Sequence, residues 1–273
     1  MASINDIKKS VSAISSLKDL TSVFEQVASI KMNQIRSEVV ERKAFFNDVW
    51  DVYSNLKLMN KSYRQEQKDR SALILICSSY GLIGDMNNKI IELAKSDITD
   101  RSDIFVIGEK GKDILQTLGI RFFKSYDFED DVKEDFVREV LDDIKDYTDI
   151  KVYYEEFISV SEQNPKKIFL NFKDYSQKFN KKDYSEYLFE PSFKEILEYL
   201  ESIMVSMMFT QILYESHLSQ YAIRMVMMGE SSQKASDILL RESLKFSKAK
   251  RELSDSNMKV IFTNFLNKHG NRI

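Results

Sequence analysis

Several sets of residues in this chain have types and spacings suited to chemistry. The string SSYGLIGDMNN (78–88) places Gly81 and Gly84 between a short apolar run and a helical pattern, the position at which nucleotide-binding folds hold phosphate. Neither G-x-G-x-x-G nor G-x-x-x-x-G-K-[ST] is present, so the string reads as a tight strand-to-helix turn. The acidic run Asp127, Glu129, Asp130, Asp131, Glu134 and Asp135 has the charge for a cation but lacks the spacing and turn glycine of a calcium loop. It reads as a solvated helix start, favoured by the helix dipole. His217 and His269 have no Ser/Asp or Cys partner in a triad-like arrangement and read as surface or interface positions. A single cysteine, Cys77, excludes an intramolecular disulfide, and with two histidines a Cys/His metal cage is out of reach.

Two sets remain. Met204, Met207, Met208, Met225, Met227 and Met228 suit a promiscuous groove, yet their helical spacing makes them core first. The cluster Lys245, Lys248, Lys250 and Arg251 fits either an acidic loop of a protein partner or a solvated helix face, and the sequence leaves both open. No catalytic residue, cofactor-binding residue or metal ligand is assigned.

The elements that must carry these residues follow from the helix breakers. The 273 residues contain 7 Gly and 2 Pro, and residues 1–80 contain neither. After Pro191 the only interior breaker is Gly229. The chain therefore reads as a long helix, a punctuated middle and a second long helix. Ile4, Ile7, Val11 and Ile14 start a heptad-like seam that continues through Leu20, Phe24 and Val27 to Ile35, Val39, Phe46, Val49, Tyr53 and Leu56. Met207, Gln211, Tyr214, Leu218, Tyr221, Met225, Met228, Ser232 and Ala235 keep a 4-3-4-3 spacing. Seams this long must pack on each other or on a partner, so an antiparallel pair of helices with a globular insert is the simplest topology.

In the insert, 71–79 and 104–108 read as strands, 120–126 as a third, and 86–96, 110–118 and 132–147 as helices, which together imply a small parallel α/β sheet. The runs 151–160 and 167–172 flank Asn164 and Pro165 and read as a hairpin, and 173–189 reads as irregular. Expected boundaries are 1–68, 69–190 and 191–273. A net charge of −3 argues against nucleic acid and anionic lipid. The first residues, MASINDIKKS, have no signal-like apolar run. The longest uncharged windows, 71–84 and 202–214, fall short of the about 20 apolar residues that span a bilayer, so a soluble protein is expected.

Several strings in the same order resemble the gamma subunit, the central rotor shaft, of F-type ATP synthases. LYESHLSQYAIRM (213–225) is similar to L-x-E-S-x-x-S-E-x-x-A-x-R-M at Leu213, Glu215, Ser216, Ser219, Ala222, Arg224 and Met225. Glu190, Pro191 and Ser192 match the family's E-P-S, and Thr21, Val27, Lys31 and Met32 match its I-T-x-A-M-x-M-V-x-x-x-K-M. Gly81, Leu82, Gly84 and Asn87 match G-L-C-G-x-x-N. The departures are Ile83 for Cys, Ser79-Tyr80 for Asp-Arg, Gln220 for Glu, Phe246-Ser247 for Tyr-Asn and Lys250-Arg251 for Arg-Gln.

The resemblance implies a long antiparallel coiled coil of N- and C-terminal helices with an inserted Rossmann-like α/β domain. It implies a non-catalytic rotor that transmits torque inside a ring of alpha- and beta-like subunits, without a cofactor of its own. Contacts to a beta-like subunit would come from Phe24, Lys31, Lys250 and Arg251. An epsilon-like or other base subunit would bind below, with no nucleic acid and no direct membrane insertion. The expected place is the cytoplasm, peripheral at the inner face of the cell membrane as part of the complex. The alternative is a specialised F-type-like ATPase driving mechanical work such as motility. Less favoured are a coiled-coil scaffold and a nucleotide-binding α/β enzyme.

Overall fold

The computed structural model describes residues 4–59, 70–127, 131–147, 149–170 and 192–270. With almost no breakers to stop them, the ends of the sequence form two continuous helices, α1 (Ile4–Met59) and α5 (Phe193–Gly270).

 Both are regular α-helices along their whole described length, and α5 passes through Gly229 without a break. Between them lie β1 (Ser71–Ile76), α2 (Met86–Lys95), β2 (Ser102–Ile107), α3 (Glu109–Thr117), β3 (Lys124–Tyr126), α4 (Glu134–Ile144), β4 (Asp149–Ser159) and β5 (Glu162–Phe169). The expected boundaries at 68/69 and 190/191 fall outside the described residues, as do Glu190, Pro191 and the segment 173–189.

The chain divides into two compact units, one of residues 1–27 with 225–273 and one of residues 28–224. In the first, the two ends of the sequence pack together, and a Cβ added at Gly229 would meet the Glu25 carboxylate at 3.0 Å. Glycine there lets the helices approach closely, which offsets its poor helix propensity. The α5 seam runs as expected, with Met228 and Ala235 buried and Ser232 half-buried. The α1 seam holds from Ile4 to Ile14 and again at Ile35, Val39, Phe46, Val49 and Tyr53, but fails between. Leu20, Phe24 and Val27 are 51%, 40% and 48% exposed, whereas Thr21 is 7% exposed and Lys18 and Glu25 are half-buried. The seam keeps the 3-4 spacing of Ile4, Ile7, Val11 and Ile14 through Lys18, Thr21 and Glu25, because a heptad stripe follows spacing even where the side chains are polar.

In the second unit the helices run antiparallel, as their partners show. Tyr53 donates to Glu201 at 3.2 Å, Arg42 to Tyr214 at 3.4 Å, and Gln211 to the Val39 carbonyl at 3.4 Å. Met204, Met208 and Phe209 are buried, in line with a core role for the methionines. An 18-residue window within α5 reaches a mean hydropathy of 1.3, enough by length and composition for a membrane span, and a third of it is buried inside the protein.

The sheet has the order β3-β2-β1-β4-β5, parallel except for the antiparallel β4–β5 pair. Two expectations need correction. The third strand covers only Lys124–Tyr126, because Ile120 instead closes the end of α3 by donating to the Leu115 carbonyl at 3.0 Å, just after Gly119 at φ +68°. The hairpin turns at residues 160–161, not at Asn164 and Pro165. Pro165 pairs opposite Glu155 inside β5, an edge strand, where a missing N–H is tolerated.

Candidate functional site

The carboxyl ends of parallel strands, beside the point where strand order reverses, are where open α/β sheets bind ligands. Here that point lies between β1 and β4, and the chain's own groups occupy it. The Ser78 amide donates to Asn87 Oδ1 at 3.1 Å, and Asn87 Nδ2 donates to Ser78 Oγ at 3.2 Å. The Ser78 hydroxyl in turn donates to the Tyr80 carbonyl at 2.5 Å. A backbone donor that a phosphate would need is thereby committed within the turn. Gly84 and Leu82 carry the positive φ values of 62° and 70° that bend the turn, so Gly81, Leu82, Gly84 and Asn87 form one structural device.

The β4 side is closed by α5. Glu155 is fully buried, and its carboxylate accepts from Ser216 Oγ at 2.5 Å and Gln220 Nε2 at 3.1 Å. Ser219 Oγ donates to the Glu155 carbonyl at 2.9 Å. Ile223, one turn on, packs against the cluster containing Cys77 and Ile83. Burial pushes the Glu155 carboxyl up to about 7 despite those hydrogen bonds. Asp97 is the contrast: burial works to raise it, but hydrogen bonds from Lys151, Tyr153 and Lys167 hold it at about 2. Glu155 is fully buried among neutral partners, whereas Asp97 is less deeply buried and has Lys151 and Lys167 beside it.

Sequence reasoning missed Glu155, Ser216 and Gln220 as a set, because a glutamate in KVYYEEFISV carries no mark of which face it occupies. It also placed His217 at a surface or interface. The residue is buried, its ring edge-on to Tyr221 at 6.4 Å, because α5 is covered all round at this level. The His269 side chain lies outside the described residues. Among the described residues no group of three or more His, Cys, Asp or Glu could hold a metal ion.

The remaining sequence positions lie on the long helices. Thr21 is buried, its hydroxyl donating to the Leu17 and Lys18 carbonyls of its own helix. Lys31 and Met225 are half-buried, and the Arg224 guanidinium lies 5.2 Å from the centre of the Tyr221 ring. Phe24 is exposed within a stripe of Leu17, Leu20, Val23 and Val27. Lys250 and Arg251 are exposed, and from residue 251 to residue 264 every described α5 side chain is exposed, including Leu253, Met258, Ile261 and Phe262.

Comparison with known proteins gives this geometry a context. The family model described as ATP synthase matches residues 3–253. The ATP synthase gamma chain of Desulfitobacterium hafniense is 23% identical over 269 residues, covering 92% of this chain and 94% of that one. The gamma chain of Legionella pneumophila is 24% identical over 271 residues, with coverage of 92% and 94%. The rotor of the Euglena gracilis mitochondrial ATP synthase superposes with a TM-score of 0.67 at 12% identity, covering 92% of this chain and 98% of that one.

Proposed function

The chain belongs to the ATP synthase family, and we propose that it works as a gamma chain, the central stalk of an F-type ATPase. The observation that carries this reading is the unit of residues 1–27 and 225–273, in which the start of α1 packs against the end of α5. A shaft must be stiff and must present different chemistry in different directions. Two unkinked helices side by side supply the first. The apolar stripe of Leu17, Leu20, Phe24 and Val27 on α1, set against Lys245, Lys248, Lys250 and Arg251 on α5, supplies the second.

Such a shaft works by differential contact: each beta-like subunit of a surrounding ring meets a different face and is biased toward a different state. The chain itself is non-catalytic, and hydrolysis or synthesis belongs to the ring. The exposed apolar end of α5 seats in the ring's hollow, an epsilon-like or other base subunit binds near the sheet, and the assembly sits at the inner face of the membrane.

Within this reading Lys250 and Arg251 meet an acidic loop of a beta-like subunit, with Phe24 and Lys31 as further contacts. The test is reconstitution with the alpha- and beta-like subunits. An exposed ion pair is worth about 0.2–1 kcal/mol, so Lys250→Ala with Arg251→Ala leaves the complex assembled and lowers its ATPase rate severalfold at low salt. High salt shrinks the difference by screening. Unchanged rates at low salt would make this cluster a solvated helix face.

A further inference from the structure

Glu155 stands apart from the other buried polar groups because, among the described residues, no cation is hydrogen-bonded to its carboxyl. Its carboxylate partners, Ser216 and Gln220, are neutral, and Ser216 also accepts from Gln220 Nε2 at 3.2 Å. From the turn after β1 it faces Cys77, whose thiol is held neutral by burial and by the nearby Glu155 charge. From α5 the neighbours of Ser216 are Glu215, which burial raises, and His217, edge-on to Tyr221. Within β4 it lies between Tyr154, which donates to Glu215 at 3.4 Å, and Glu156, which pairs with Lys166 of β5. Pro165 is opposite on β5. No cation is among its hydrogen-bond partners, so an ionised Glu155 is an isolated buried charge at the joint between the sheet and the long helix.

We propose that Glu155 is a proton-operated latch: protonated, it clamps α5 to the carboxyl end of the sheet, and ionised, it loosens that clamp. On protonation the carboxyl O–H donates to Ser216 Oγ, reversing that hydrogen bond, while the other oxygen still accepts from Gln220. The ionised form keeps both hydrogen bonds but bears the cost of desolvated charge, which opening of the joint to water relieves.

The sign follows from proton binding. The folded group holds its proton to about 7 while an opened one releases it near the ordinary value of 4.5, so the clamped state binds more protons between those values. Its stability is full at acid pH and declines as pH rises through this window. Opening of the joint therefore increases by up to about tenfold per pH unit between about pH 5 and 7, then levels off.

The test uses the full chain, with hydrogen exchange of residues 212–223 corrected for the intrinsic pH dependence and with thermal midpoints over the same range. The natural chain should open more readily with rising pH, Glu155→Gln should remove that dependence, and Glu156→Gln should retain it. A flat profile for the natural chain, or an unchanged profile in Glu155→Gln, overturns the latch. Should Glu155→Gln fail to fold, infrared titration of the buried carboxyl in the natural chain decides: a midpoint near 7 supports the latch, and full ionisation from about pH 5 upward overturns it.

Discussion

Gly108→Ala should disrupt the inserted sheet. The residue precedes α3 at φ +97°, and a Cβ there would lie 2.1 Å from the Cys77 carbonyl oxygen and 2.8 Å from its carbon. Those are backbone atoms of the turn after β1, and Cys77 is itself fixed by donating its amide to the Ile107 carbonyl at 2.8 Å. No flexible side chain can move aside. Positive φ adds strain for any L residue, so a loss of about 4 kcal/mol or more is expected, among the largest single-residue effects. Gly81 is the control. A Cβ there meets nothing within 4 Å, and Gly81→Ala should stay within about 0.5 kcal/mol. Denaturant unfolding of both variants checks the pair; equal losses would contradict the turn geometry.

Trp50→Ala should cost about 3–5 kcal/mol, the range for removing a buried aromatic side chain. Trp50 is buried on α1, stacked on Phe46 at 6.2 Å and tilted against Tyr53 at 5.6 Å. Tyr53 also donates to Glu201 of α5, so the cluster is part of the joint between the two helices. A fall in the thermal midpoint of about ten degrees is expected. A change of only a degree or two would place Trp50 outside the load of that joint.

Much of this architecture was legible in the residues. The absence of Gly and Pro over 1–80 foretold α1, and the unbroken 4-3-4-3 run from Met207 to Ala235 foretold the buried stripe of α5. The α1 seam was legible at its start and again from Ile35 through Phe46 to Tyr53, but not between. At Leu20, Phe24 and Val27 hydrophobicity and spacing disagree, and spacing decides, because the backbone of a straight helix sets which positions face its partner. The exposed apolar residues that result are what a partner would cover. The Pro165 misreading has a similar root: a proline looks like a turn until the strand is known to lie at an edge. Glu155 was illegible because its burial comes from α5, about 60 residues away in sequence, and no local pattern encodes that contact.

The central claim is that the chain turns as one shaft within a ring. The direct measurement fixes the alpha- and beta-like ring to a surface, attaches a bead to the inserted sheet, and follows the bead on addition of ATP. The account predicts sustained rotation in one direction, at a speed that follows the rate of hydrolysis. Steady hydrolysis by the assembled complex with the bead stationary, or steady ATP turnover by the purified chain alone, would contradict it.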